Sequence, residues 1–194
     1  MISLLFFFNI TTILYAETTS GILTEDETWS GTINVTGDIT VPNGITLTIE
    51  PGTQIIFPAG SDDTAGGQNS NLSELLINGS LIAAGTDVNP IIFSSDAATK
   101  SKSDWGGIQT TWNIGFKTFN LEYCEIEYAS HGVIWKINEG MHSVGISNSK
   151  VNHTSGNGIY IYGEAGSKIS LDINNTDITD NNGRGIYCNI TGSS

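Results

Sequence analysis

Side chains able to do acid–base chemistry are few in this sequence: 7 Lys and Arg together and 3 His, against 20 Asp and Glu. Arg184 is the only arginine. Aligning the chain on itself puts Arg184 in one column with Asn157 and His131, and puts Asp180, His153 and Tyr128 in the neighbouring column. These six residues combine a base, a carboxylate and aromatic rings on one outer patch beside a turn. That is the composition of a site that could take a proton or hold a sugar. The plainer reading of the same columns is a set of polar side chains solvating a corner of the fold. The histidines His131, His142 and His153 recur every 11 residues, which is not the repeat length, so they are not expected to stack on a shared metal. No cofactor is expected. Ca²⁺ on acidic runs such as Asp62-Asp63 or Glu25-Asp26-Glu27 is the open alternative, although neither run has EF-hand spacing.

The columns rest on a repeat. "GISNSKVNHTSGNGIYIY" from Gly145 and "DINNTDITDNNGRGIYCN" from Asp172 superpose at an offset of 27, pairing Ile146 with Ile173, Asn148 with Asn175, Val151 with Ile178, Gly158 with Gly185 and Tyr160 with Tyr187. "NLEYCEIEYASHGVIW" fits at 25 or 26, with Leu121 over Ile146, Ile126 over Val151 and Gly132 over Gly158. Cruder copies run from Gly44 to Phe57 and from Ser73 to Phe93. A period in the twenties marks a solenoid, and alternation within each period ("ITLTI", "IYIY") makes its unit a set of short strands. Three strands per turn, stacked about 4.8 Å apart, give an all-β parallel helix. Gly158 and Gly185 are expected where a turn needs φ > 0 or has no room for Cβ. Asn148 and Asn175 are expected to ladder, and Ile159 and Ile186 to stack inward.

The same frame separates Cys124 from Cys188 by at least two coils. That is roughly 10 Å and beyond disulfide reach, so both are expected to be free thiols in buried positions. The loop "PAGSDDTAGGQNSN" and the insertion "TTWNIGFKTFN" are expected to project from coil edges. "GILTEDETWSG" should cap the core.

Composition agrees with many strands and tight turns: 23 Gly, 4 Pro and only 14% charged residues. A net charge of −13 repels phosphate backbones, so nucleic acid is excluded as an expected partner. The apolar run at residues 1–16, "MISLLFFFNITTILYA", is too short to span a bilayer and reads as a signal peptide, with 17–194 one domain (17–43 cap and first coil, 44–194 stacked coils). The chain is therefore expected to be secreted or displayed at the cell surface, with no membrane span in its mature part. It is expected to be a monomer or part of a longer chain, the solenoid being incomplete at "TGSS".

The succession "DITVPNGITLTIEPGTQIIF", "LLINGSLIAAGTDVNPIIFSSD", "DWGGI" and "LEYCEIEYA" resembles the right-handed parallel β-helix repeat domains of bacterial and archaeal surface and secreted proteins, which share the pectate-lyase-like superfamily fold. The likeness covers about Gly21 to Ile190. It implies a right-handed parallel β-helix of about five to six coils, and leaves function open among lyases, hydrolases, adhesins and wall proteins. "NTD" at Asn175–Asp177 resembles one string of polygalacturonase-like hydrolases, but the paired Asp and the Arg-x-Lys of that family have no counterpart, and "SHG" at Ser130–Gly132 and Asp180 are in the wrong order. Trp29, Trp105, Trp112 and Trp135 are alternatives as sugar platforms or as core packing. Thr46 and Thr48 begin a Thr-x-Thr face of the ice-binding kind, which later coils do not continue.

The primary reading is an exported, non-catalytic β-helix module, structural or binding polysaccharide or other surface components. The alternative is a polysaccharide lyase or glycoside hydrolase. An enzyme should stack acidic or basic groups on one sheet across adjacent coils, whereas this sequence is expected to show Ser, Thr and Asn there.

Overall fold

The computed structural model describes residues 19–111, 117–137, 141–164 and 168–191, with the side chains of Lys117, Met141, His142 and Lys168 excepted. Residues 1–16, expected to be a signal peptide, Trp112 and the terminal Gly-Ser-Ser lie outside the described residues. The first coil is β1 (Gly21–Ile22), β2 (Glu27–Trp29) and β3 (Thr32–Asn34); the second is β4 (Ile39–Val41), β5 (Thr46–Ile49) and β6 (Gln54–Phe57). The third is β7 (Glu74–Ile77), β8 (Ser80–Ala84) and β9 (Ile91–Ser95); the fourth is β10 (Gly107–Gln109), β11 (Lys117–Glu122) and β12 (Cys124–Glu127). The fifth is β13 (Val133–Ile137), β14 (Met141–Ser147) and β15 (Lys150–Asn152); the sixth is β16 (Ile159–Gly163), β17 (Lys168–Asn174) and β18 (Asp177–Thr179); β19 (Ile186–Ile190) opens a seventh.

Each coil gives one strand to each of three parallel sheets. Sheet A runs β1-β4-β7-β10-β13-β16-β19, sheet B β2-β5-β8-β11-β14-β17, and sheet C β3-β6-β9-β12-β15-β18. The chain is a right-handed parallel β-helix, the hand that parallel crossover connections adopt.

Every strand alternates, one side chain in and one out, so the core is a set of ladders. On sheet A, Ile39, Leu75, Ile108, Val133, Ile159 and Ile186 follow in register. On sheet B the ladder is Leu47, Leu81, Phe119, Val144 and Leu171. On sheet C it is Ile33, Ile55, Phe93, Ile126, Val151 and Ile178. Residues up to the fifth coil are buried, whereas Ile186 is 46% and Leu171 38% exposed, having a described coil on one side only. Each fully buried rung contributes roughly 1.5–3 kcal/mol relative to an exposed one.

The registers read from the repeat are the observed ones: Ile146 with Ile173, Val151 with Ile178, Tyr160 with Tyr187, Leu121 with Ile146 and Ile126 with Val151. Asn175 Nδ2 donates to Asn148 Oδ1 at 2.8 Å, the expected amide ladder. Its cause is backbone shape. Tyr123, Asn148 and Asn175 all sit at positive φ at the corner between sheets B and C, a conformation asparagine tolerates well. Tyr128, His153 and Asp180 do the same at the corner between sheets C and A, which is why they form a column.

Several expectations need correction. Gly158 has no room for Cβ, which would lie 2.8 Å from Gly185 O, but a Cβ on Gly185 meets nothing closer than 3.5 Å. Both cysteines are free, yet only Cys124 is buried; Cys188, in the last described strand, is exposed. Trp29, Trp105 and Trp135 are fully buried, so they build the core and none is a sugar platform; Trp105 stacks on Phe57 at 4.0 Å. The segment expected to cap the core is itself the first coil, with Leu23 and Trp29 buried.

The loop of residues 58–71 does not project. It folds back over the outer face of sheet A, where Asp63 N donates to Thr36 O at 3.1 Å, Ser73 Oγ to Ser61 O at 2.8 Å and Gly60 N to Asp104 O at 2.8 Å.

Candidate functional site

Where that strap lies down, the outer face of sheet A carries polar groups in register. Asp38 precedes the inward Ile39 as Glu74 precedes the inward Leu75, and these two isoleucine and leucine positions pair. The two carboxyls are therefore neighbours on adjacent coils. Glu74 N donates to Asp38 Oδ1 at 2.8 Å. Both residues are buried, at 4% and 1% exposure, because the strap covers them. The contact is close enough to demand glycine: Gly67 has φ +61°, and a Cβ there would collide with Glu74 Oε2 and Asp38 Oδ2.

Asp62 organises the strap. Its Oδ1 accepts from Asp38 N at 3.1 Å, Thr64 N at 3.0 Å and Thr64 Oγ1 at 2.6 Å, and its Oδ2 accepts from Gly66 N at 3.0 Å. Partial burial works against ionisation of Asp62, but these donors together hold its carboxyl below the ordinary value. The other two carboxyls move the opposite way. Burial raises Asp38, with Asp62 adding repulsion. Burial pushes Glu74 up to about 7, and Asp38 adds to it, although Gln68 N–H, the Gln109 amide and Lys136 pull back. Glu74 Oε2 accepts from Gln68 N at 2.6 Å and Oε1 from Gln109 Nε2 at 2.8 Å. Asp38 Oδ2 is buried with no hydrogen-bond partner.

A cleft of about 280 Å³ opens over Glu74, lined among others by Gln68, Gln109, Ser130, His131, Lys136 and Tyr160. Lys136 Nζ donates to Gln68 Oε1 at 2.6 Å, tying β13 to the strap. Burial lowers the Lys136 ammonium, with Glu74 acting against that, and burial lowers His131. Tyr160 carries the site onward along the sheet. Its ring lies 6.3 Å from His131 and stacks on Tyr187 at 5.2 Å and 19°, while the Arg184 guanidinium sits 4.5 Å over Tyr187.

The six residues singled out from the sequence fall into two groups. His131 lines the cleft, and Asn157 Oδ1 accepts from Arg184 N at 2.8 Å beside Tyr187. Tyr128 and His153, both half-buried, stack on one another at 5.1 Å at the C-to-A corner, with Lys100 Nζ 5.5 Å over Tyr128, and Asp180 occupies the same corner column, where it is exposed. Asp38, Glu74, Gln109, Lys136 and Tyr187 were not in that set. Sheet A also departs from the expected Ser, Thr and Asn surface, since it stacks two acids on adjacent coils. The signal was the shared pattern of "GDITV" and "SELLI", an acid before the inward residue, spread over a spacing of 36 by the strap. Among the described residues, no three His, Cys, Asp or Glu side chains are grouped to hold a metal ion.

Residues 21–132 match the family described as pectate-lyase like beta helix domain. That span takes in Asp38, the strap, Glu74, Gln109 and His131. No curated protein and no solved structure matches the chain significantly.

Proposed function

The chain belongs to the family of pectate-lyase-like beta helix domains, and on that premise we propose that it is an exported β-helix module that binds a carbohydrate chain along the outer face of sheet A. The observation that carries this reading is the cleft over Glu74, where amide, hydroxyl, carboxyl and tyrosine groups from four coils and the strap converge. Concave sites with a few convergent polar groups are the usual ligand sites of a fold. Tyrosine offers both an apolar ring and a hydroxyl to a sugar. The tyrosine stack extends the site along the axis, as a chain ligand would need. Export is supported by the apolar run at residues 1–16 and the charge of −13.

Affinity electrophoresis of the full chain in gels containing neutral and acidic polysaccharides tests this. One or more polysaccharides should retard the protein, and Tyr160→Ala and Tyr187→Ala should each weaken retention about threefold to tenfold. Tyr128→Ala reports on the corner instead. Loss of binding there, with none at Tyr160, would move the site. A folded sample that no polysaccharide retards overturns the reading.

A second reading follows from one observation. A carboxyl held near 7 beside a cleft has the property of a general acid. Release of unsaturated products absorbing at 235 nm or of new reducing ends, abolished by Glu74→Gln, would make the module an enzyme.

A further inference from the structure

We infer that the cleft over Glu74 accepts an uncharged sugar residue and rejects a uronate, and that Glu74 with Asp38 behind it makes the distinction. This rests on the carbohydrate-binding reading and narrows its ligand. The charged groups around the cleft floor come from every element packed there. Glu74 stands on β7 and Asp38 just before β4. Asp62 lies in the strap, bonded to Asp38 N, and Lys136 is on β13. His131, in the turn before β13, is held towards its neutral form by burial.

The balance favours a neutral guest. Among the described residues, Lys136 is the only Lys or Arg lining the cleft, and its ammonium is already engaged with Gln68 Oε1. Against it stand the Glu74 carboxyl in the lining and, behind it, those of Asp38 and Asp62. A sugar carboxylate brought into the cleft would meet this acidic floor in a partly desolvated setting, where like charges repel strongly. Sugar hydroxyls instead find groups that both donate and accept: the Gln68, Asn69 and Gln109 side chains and the Ser130 hydroxyl. The overall charge of −13 acts in the same direction over longer range.

The test is calorimetric titration of the full chain with cello-, manno- and xylohexaose and with hexagalacturonate, at pH 5.5 and pH 8.5, in wild type and Glu74→Gln. At pH 8.5 a neutral hexaose should bind at least about tenfold more tightly than hexagalacturonate, a modest effect for a desolvated like-charge contact. The gap should narrow at pH 5.5, where Glu74 is protonated and the uronate remains charged. In Glu74→Gln the change of the gap between the two pH values should shrink, leaving a smaller remainder from Asp38. Equal or tighter binding of hexagalacturonate at pH 8.5 overturns the inference and leaves carbohydrate binding standing. So does a gap whose pH dependence is as large in Glu74→Gln as in wild type. Absence of binding by every hexaose, in a sample that no polysaccharide retards, overturns both.

Discussion

The backbone N–H of Glu74 donates to Asp38 Oδ1 at 2.8 Å, so the strand carrying one buried carboxyl is fastened by the other. Asp38 Oδ2 has no donor and lies, with Glu74 Oε2, against Gly67. Burial raises both carboxyls, and the Asp38 charge adds repulsion at Glu74. Glu74 has its folded value raised to about 7 from 4.5. Below pH 4.5 both folded and unfolded chains keep that proton and no stability is lost. Between 4.5 and 7 the unfolded chain ionises while the folded chain holds on, so stability falls as pH rises and levels off above 7. The loss is on the order of 3 kcal/mol for a shift of this size. Urea midpoints measured from pH 4 to 8.5 should fall along this arm in wild type. The decline should be shallower in Glu74→Gln, leaving the same-signed contribution of Asp38.

Gly67 tests the strap. Its positive φ and the absence of space for Cβ make Gly67→Ala costly in two ways. The expected loss is about 1–3 kcal/mol, confined to the strap. Amide hydrogen exchange should quicken over residues 61–72 while the strands of sheets B and C keep their protection. Uniform loss of protection would mean that the strap is part of the global folding unit.

The ladders predict a graded response to truncation. Ile159 is fully buried and Ile186, one coil on in the same ladder, is 46% exposed. Ile159→Ala should cost about 2–5 kcal/mol. Ile186→Ala should cost under about half of that, its side chain losing less contact. Denaturant midpoints of the two variants decide it.

The cysteines differ in the same way. Burial pushes the Cys124 thiol up to about 12, and its sulfur packs against Ala83 O at 3.5 Å. Cys188 is exposed. A thiol reagent at neutral pH should therefore label one site in the native protein, with peptide mapping placing it at Cys188, and Cys124 should react only in denaturant.

The fold was legible in the sequence because a solenoid writes its registers locally. The 27-residue spacing that joins Asn148 to Asn175 and Tyr160 to Tyr187 is the structural spacing itself. Column membership followed, down to Tyr128 with His153. Burial was less legible. Ile186 has the same type as the buried Ile159 one coil away, and Cys188 the same type as the buried Cys124 three coils away, so residue type alone does not separate exposed from buried. The cleft floor was missed for a different reason. Asp38 and Glu74 are 36 residues apart, and the excess over the usual coil is the strap that hides them. A polar loop gives no sign of which way it folds. What turned it inward is Asp62, whose carboxyl gathers Asp38 N, Thr64 and Gly66.

The bonds that join one coil to the next run along the axis of the molecule, while the covalent chain runs around it. Tension applied along the axis is therefore carried by the coils in series, and the weakest junction yields first. β1 meets β4 through two residue pairs, and β2 and β3 meet the second coil through three each. Between the fifth and sixth coils the sheets contribute five, seven and three pairs. β19 is held through five pairs on sheet A alone, so under axial tension the described solenoid would part first at β19 and then at the first coil, and the segment holding the cleft, between them, would be the later part to give way.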